Sequence, residues 1–301
     1  MRFHLIGPFR IVTDDGRVLP PPSPKVAQVL AVLLTPAGDL VTPGTLIREL
    51  WHHDPPRSAL NTVQTYVHHA RRVLTRGQED DGGPSALTTG FGGYTLRADA
   101  TSVDAAVFGR LVARGREELH AGRAEEAVAT LDRALALWRG PVLSGVPTGP
   151  VLAGRAVHLE ELRIRAFELR VDAMRRLGRL RELVPVLRTL VHDHPLNEWF
   201  HAQLIDALRL AGRRAEALEA YRALHRVLRD ELGLAPSPDL QRLHRLLLGP
   251  PTPPEPPSRE SQDAPPYRES QDAPSYRESR DSPPSREAPS ARGSRRAVIS
   301  S

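Results

Sequence analysis

Apolar positions along the first hundred residues change their spacing twice, and each change predicts a different kind of element. Phe3, Leu5 and Ile6, then Phe9, Ile11 and Val12, make short strand-like runs interrupted by Gly7-Pro8. Asp14-Asp15-Gly16 supplies a turn before Val18-Leu19. From Pro24 the spacing becomes helical, with Val26, Ala27, Val29, Leu30, Leu33 and Leu34 marking a buried helix. Thr42-Pro43 has the form of an N-cap followed by proline at the first helical position, and opens a helix through Leu46, Ile47, Leu50 and Trp51. A third helix is predicted over residues 59–75. After a polar loop, Leu87-Thr88-Thr89 and Tyr94-Thr95-Leu96 flank Gly90 to Gly93 as a hairpin. Strands, three helices and a closing hairpin, in that order, describe a winged helix over residues 1–97.

Residues 98–249 keep a helical period throughout and carry an internal repeat. Gly122-Arg123, Gly178-Arg179 and Gly212-Arg213 are each followed three residues later by glutamate, at Glu126, Glu182 and Glu216. The second and third copies stand 34 residues apart, the tetratricopeptide period; the first gap is longer by an insertion that includes the Gly/Pro-rich stretch Gly140 to Gly154. The glycine is expected to close one helix and the glutamate to sit in the first turn of the next, where its charge suits the helix dipole. Helix pairs of this kind bury their apolar faces only by stacking. From Pro250 three near-identical nine-residue units, Ser258–Pro266, Tyr267–Ser275 and Tyr276–Pro284, are too poor in large aliphatic side chains to offset ordering entropy. The expected class is therefore mainly α: an N-terminal winged helix-turn-helix (α+β) over 1–97, an all-α tetratricopeptide-like domain over 98–249 and a disordered tail over 250–301.

Composition narrows the chemistry. The absence of cysteine excludes disulfides and thiolate metal sites. No apolar run approaches the length of a bilayer span, and Met1 to Gly7 lacks a signal-peptide pattern, so a cytoplasmic location without membrane contact is expected. The net charge of +5 points only weakly to an anionic partner. It is spread thinly: residues 1–97 hold 10 basic and 8 acidic side chains, and the tail holds 8 of each. Pattern, and not net charge, must locate any nucleic-acid surface.

The third helix supplies such a pattern. On a helical wheel Leu60, Val63, Val67, Ala70 and Leu74 share one face, with Tyr66 and Val73 at its margin. The opposite face carries Asn61, Thr62, Thr65, His68, His69 and Arg72, with Gln64 and Arg71 on the flank and no carboxylate anywhere. A surface helix ordinarily mixes acids among its bases. An acid-free face suits approach to phosphates and base edges, which a carboxylate would repel.

These segments resemble the Streptomyces antibiotic regulatory proteins, which pair an OmpR-type winged helix with a bacterial transcriptional activator domain of tetratricopeptide-like helices. The first domain carries the resemblance in Pro24-Lys25, Trp51 with Asp54-Pro55-Pro56, Asn61 through Tyr66-Val67 to Arg71-Arg72, and Gly93-Tyr94. The second carries it in Leu135 to Pro141, Leu159 to Arg170, Leu177-Gly178-Arg179, His194-Pro195-Leu196, Glu216 to Tyr221 and Glu231 to Leu234. The resemblance implies a pathway-specific activator of a secondary-metabolite gene cluster. It would bind double-stranded DNA in pairs on direct repeats near a promoter and recruit RNA polymerase holoenzyme, without a cofactor. The implied DNA-binding residues are Lys25, Asn61, Thr62, Thr65, His68, His69, Arg71, Arg72 and, on the wing, Thr89. Where the family usually has Ser-Arg-Leu-Arg, this chain has His68-His69-Ala70-Arg71, and Gly90-Phe91 follows Thr89 where an arginine is common. Binding is therefore expected to strengthen as pH falls, because nearby phosphates favour the charged imidazole.

Two other readings remain open at this level. An enzyme or metal site would have to rest on His52-His53, His68-His69 or His192-Asp193-His194, but neighbouring helical residues point about 100° apart, and no catalytic motif accompanies them. A protein-interaction scaffold whose winged helix no longer binds DNA is the stronger rival.

Overall fold

The computed structural model describes residues 1–35, 38–77 and 86–249. The nonapeptide tail and most of the polar loop before the hairpin lie outside them. Strands β1 (Arg2–His4), β2 (Arg10–Val12) and β3 (Val18–Leu19) form an antiparallel sheet in that order, with Phe3 opposite Ile11 and Ile11 opposite Leu19. Helix α1 (Pro24–Leu34) starts at Ser23, whose hydroxyl accepts the Val26 N–H, and it is buried all round from Val26 to Leu34. Helix α2 (Pro43–Trp51) starts as its Thr-Pro pair predicts, the Thr42 hydroxyl accepting the Thr45 N–H at 3.2 Å. Helix α3 (Ala59–Arg76) follows, and then the hairpin β4 (Leu87–Gly90) and β5 (Gly93–Leu96). Reciprocal backbone bonds of 2.8 and 2.9 Å between Val41 and Tyr94 anchor the hairpin to the segment leading into α2.

The remaining described chain is helical: α4 (Asp104–His120), α5 (Ala124–Leu135), α6 (Pro150–Arg176), α7 (Leu180–Asp193), α8 (Glu198–Leu210), α9 (Arg214–Leu232) and α10 (Pro238–Leu248). Helices pair as α4/α5, α6/α7 and α8/α9. Each pair turns on the repeat glycine, with φ of 76° at Gly122, 69° at Gly178 and 74° at Gly212, a region where a Cβ is costly. Glu126, Glu182 and Glu216 stand in the first turns of α5, α7 and α9, as the repeat predicts.

Two apolar cores result, and the chain crosses between them. Phe3, Leu5, Ile11, α1 and the inner faces of α2, α3 and the hairpin form the first core, which also takes in Leu143 and Leu152. The second belongs to α4–α10, and Ile6 is part of it. Leu5 and Ile6, adjacent and both buried, thus face different cores. Their backbone groups are satisfied by two distant segments. The Asp104 carboxylate accepts the Leu5 N–H at 2.7 Å and the Ile6 N–H at 3.2 Å, while the Leu5 and Ile6 carbonyls accept the Leu143 and Arg139 N–H groups at 2.9 and 3.4 Å. The Gly/Pro-rich insertion between α5 and α6 therefore laces the helical repeats to the first sheet.

A second buried carboxylate ties α2 to α6. Glu49 is fully buried, and its two oxygens accept the N–H groups of Gly149, Val151 and Leu152 at 2.6, 2.8 and 3.3 Å. These are among the donors that the first turn of α6 leaves without intrahelical partners, so an anion from another helix caps it. Position 149 admits only glycine here, because a Cβ would come within 2.2 Å of the Glu49 carbonyl oxygen.

Candidate nucleic-acid interface

Helix α3 is held from behind and open in front. Val63, Val67, Ala70, Val73 and Leu74 are buried against the first core, while Asn61, Gln64, Thr65, His68, Arg72, Thr75 and Arg76 are exposed. These exposed positions recur three, four and seven apart and make one stripe along the helix. Leu60 departs from the expected apolar face: it is 48% exposed. It stands in the first turn of α3, where the core no longer reaches.

The stripe is free of carboxylates, and its arginines are unengaged. The side chains of Arg72 and Arg76, and of Arg48 and Arg57 on and just beyond α2, make no hydrogen bond or ion pair with any described residue. Several arginines of the helical repeats are paired. Arg175 pairs with Asp206 at 2.9 Å, Arg179 with Glu125 at 2.8 Å and Arg188 with Glu216 at 2.6 Å, and Arg170 pairs with Asp132. Others, at Arg133, Arg155, Arg181, Arg226 and Arg245, have no partner among the described residues, but Arg72 and Arg76 stand on the acid-free stripe itself, where they can take phosphate oxygens without first giving up a partner.

The hydroxyls of the stripe are oriented by the helix itself. Thr62 and Thr65 donate to the carbonyls of Ser58 and Asn61, both at 3.1 Å. With the hydroxyl hydrogen so engaged, each threonine offers solvent a lone pair and a methyl group. That combination suits a base amino group or a thymine methyl. His68 is exposed and His69 half-buried, with ring centroids 5.9 Å apart, edge to face.

The expected site residues are not all brought together. Asn61, Thr65, His68 and Arg72 share the stripe, with Thr62 and His69 along one edge. Arg71 lies on the other side and turns toward the wing, where its Nε donates to the Leu87 carbonyl at 3.0 Å and its Nη2 to the Thr89 hydroxyl. Arg71 and Thr89 therefore tie the wing to α3. Lys25 is elsewhere: its ammonium donates to the Leu50 carbonyl at 2.8 Å, neutralising the C-terminal end of α2, whose last carbonyls lack helical donors. Arg76 was outside the helix expected from sequence, which stopped at residue 75, and Phe91, fully exposed at the wing tip, had no periodic signal to mark it. Replacing Arg71 by alanine should cost about 1 kcal/mol of stability through the lost wing tether. Urea unfolding of the two proteins measures it, and an unchanged midpoint would show the tether to be energetically idle.

No described helix is long and apolar enough to cross a membrane, and no three His, Asp or Glu side chains among the described residues are grouped to hold a metal ion.

Known proteins align with this chain across both parts. The bacterial transcriptional activator domain matches residues 103–248, and the C-terminal domain of transcriptional regulatory proteins matches residues 21–96. Regulatory protein DnrI of Streptomyces peucetius is 37% identical over 251 residues, which cover 82% of this chain and 92% of that protein. Regulatory protein AfsR of Streptomyces coelicolor is 39% identical over 249 residues, again 82% of this chain but only 24% of AfsR, so the chain spans about a quarter of that longer relative. Among solved structures, Mycobacterium tuberculosis EmbR in complex with a low affinity phosphopeptide superposes with a TM-score of 0.75 at 32% identity, over 82% of this chain and 64% of that one.

Proposed function

Because this chain belongs to the Streptomyces antibiotic regulatory protein family of transcriptional activators, we propose that α3 enters the major groove of an operator and reads it through its exposed stripe. Asn61, Gln64 and Thr65 face base edges. Arg72 and Arg76 contact phosphates, with His68 and His69 beside them. The observation that carries this reading is the acid-free stripe flanked by arginines that no described side chain engages. The wing, held to α3 by Arg71 and Thr89, lies against the adjoining backbone.

In the same reading residues 1–97 supply DNA recognition and residues 98–249 supply the surface that meets RNA polymerase holoenzyme. Two copies occupy a direct repeat near the promoter, and the regulated genes belong to a secondary-metabolite pathway. The protein acts by binding, without catalysis or a cofactor.

Fluorescence anisotropy with promoter fragments from genes neighbouring its own tests the proposal. Arg72→Ala should weaken operator binding by about tenfold and flatten the log–log salt dependence by roughly 0.9, the value of one phosphate contact. His69→Arg should strengthen binding and steepen that slope by a similar amount. Salt slopes identical in all three proteins would remove α3 from the interface.

A further inference from the structure

A cavity of about 190 Å³ opens where the first sheet, α1, α4 and α6 meet. Its walls come from both cores: Leu5 and Leu34 from the first, Gly109 of α4 and Leu162 of α6 from the helical repeats. Arg155 and His158 of α6 also line it, at positions that share one face with Leu162. No carboxylate lines it, and neither Arg155 nor His158 makes a hydrogen bond or ion pair with any described residue. An apolar chamber with a guanidinium and an imidazole at its edge and no carboxylate in its lining is complementary to an apolar acid.

Gly109 adds an independent observation. Glycine inside a helix is costly relative to alanine and ordinarily answers to a close neighbour. Gly115, six residues on in the same helix, has one: a Cβ there would come within 2.7 Å of Leu131. A Cβ at Gly109 would meet nothing nearer than Leu162 at 4.0 Å. Packing within the protein therefore does not require the glycine, and its consequence is to keep this cavity open.

We propose that the cavity binds a small organic acid with an apolar ring or chain, its carboxylate paired with Arg155 and His158. The volume equals that of about six liquid waters, room for a body the size of benzoate or octanoate. Ligand sites of this kind favour the joints between packed units. A ligand here touches both cores at once, so occupancy stabilises the arrangement in which α3 is presented. Binding of the acid is independent of whether α3 reads DNA, and the experiment below contains no DNA.

Full-length protein is titrated with benzoate, hexanoate, octanoate and decanoate, following heat flow and the thermal midpoint. At least one acid should bind saturably below about 1 mM and raise the midpoint by ligand linkage. Octanol, which keeps the chain and removes the charge, should bind about three- to tenfold more weakly than octanoate, and Arg155→Ala should weaken octanoate binding to a similar extent, a modest factor because the arginine is exposed. Gly109→Leu fills the chamber with a good helix former and should abolish binding while leaving the thermal midpoint unchanged or higher. Gly109→Ala, a smaller change, should weaken it partially. Absence of saturable binding by all four acids would overturn the proposal. So would equal octanoate affinity in wild type and the folded Gly109 variants, or equal affinity for octanol and octanoate.

Discussion

Glu49→Ala should lower the unfolding free energy by about 3 kcal/mol, the usual loss when one side of a buried charge-assisted network is removed. For a folded unit of this size that corresponds to a fall in the thermal midpoint of roughly 6–12 °C. The cost has a definite origin. Glu49 is fully buried, and without it the N–H groups of Gly149, Val151 and Leu152 lose the anion that caps α6. The Gln28 amide, which donates to the Glu49 carbonyl and carboxylate at 3.0 and 3.3 Å, loses the second of these partners. Glu49→Gln should lie between the two, since it keeps one acceptor oxygen and forfeits the charge that interacts with the helix terminus. Denaturant unfolding of the three proteins checks the order. A loss below about 1 kcal/mol for alanine would mean that water replaces the carboxylate at no penalty, against the burial seen here.

Asp104→Ala should cost a similar amount, about 2–3 kcal/mol, by stranding the buried N–H groups of Leu5 and Ile6 together with the Arg139 guanidinium. Asp104→Asn keeps one oxygen that can still accept from Leu5 and Ile6 but sets its amide donor against the Arg139 guanidinium, so it should recover only part of the loss. The two carboxylates lie on separate connections between the cores, Asp104 through the N-terminal segment and Glu49 through α2. The double variant should therefore be close to additive, within about half a kcal/mol. A large departure from additivity would show that the connections form one network. Either result bears on fragments. A chain cut at residue 97 removes every α6 donor from Glu49 and the Asp104 acceptor from Leu5 and Ile6. DNA affinity measured on such a fragment would therefore mix recognition with lost stability.

The division between what was legible in the sequence and what was not follows the range of the forces involved. Apolar spacing shows which face of an element is buried, because burial repeats with the geometry of the element itself. It placed α1, α2, α3 and the hairpin, and it set the acid-free side of α3 outward. The repeat glycines were equally legible, because a left-handed turn is a local demand on one residue. The family likeness rested on the order of such local segments.

Spacing does not name what an element is buried against, and the structure decided those cases. Leu60 fits the apolar face by period but lies beyond the reach of the core. Leu5 and Ile6 look like a strand and instead divide between two cores. Arg71 belongs to the basic helix by sequence, yet it is close enough to β4 to hold the wing. Lys25 completes the end of α2. Glu49, an acid in an amphipathic helix, gives no sign that it caps another helix 100 residues away. Nor does Asp104 announce the backbone it receives from 99 residues upstream. A hydrogen bond leaves a local signature when its partners are neighbours in the chain. When only packing brings the partners together, the residue types are visible in the sequence but their pairing is not.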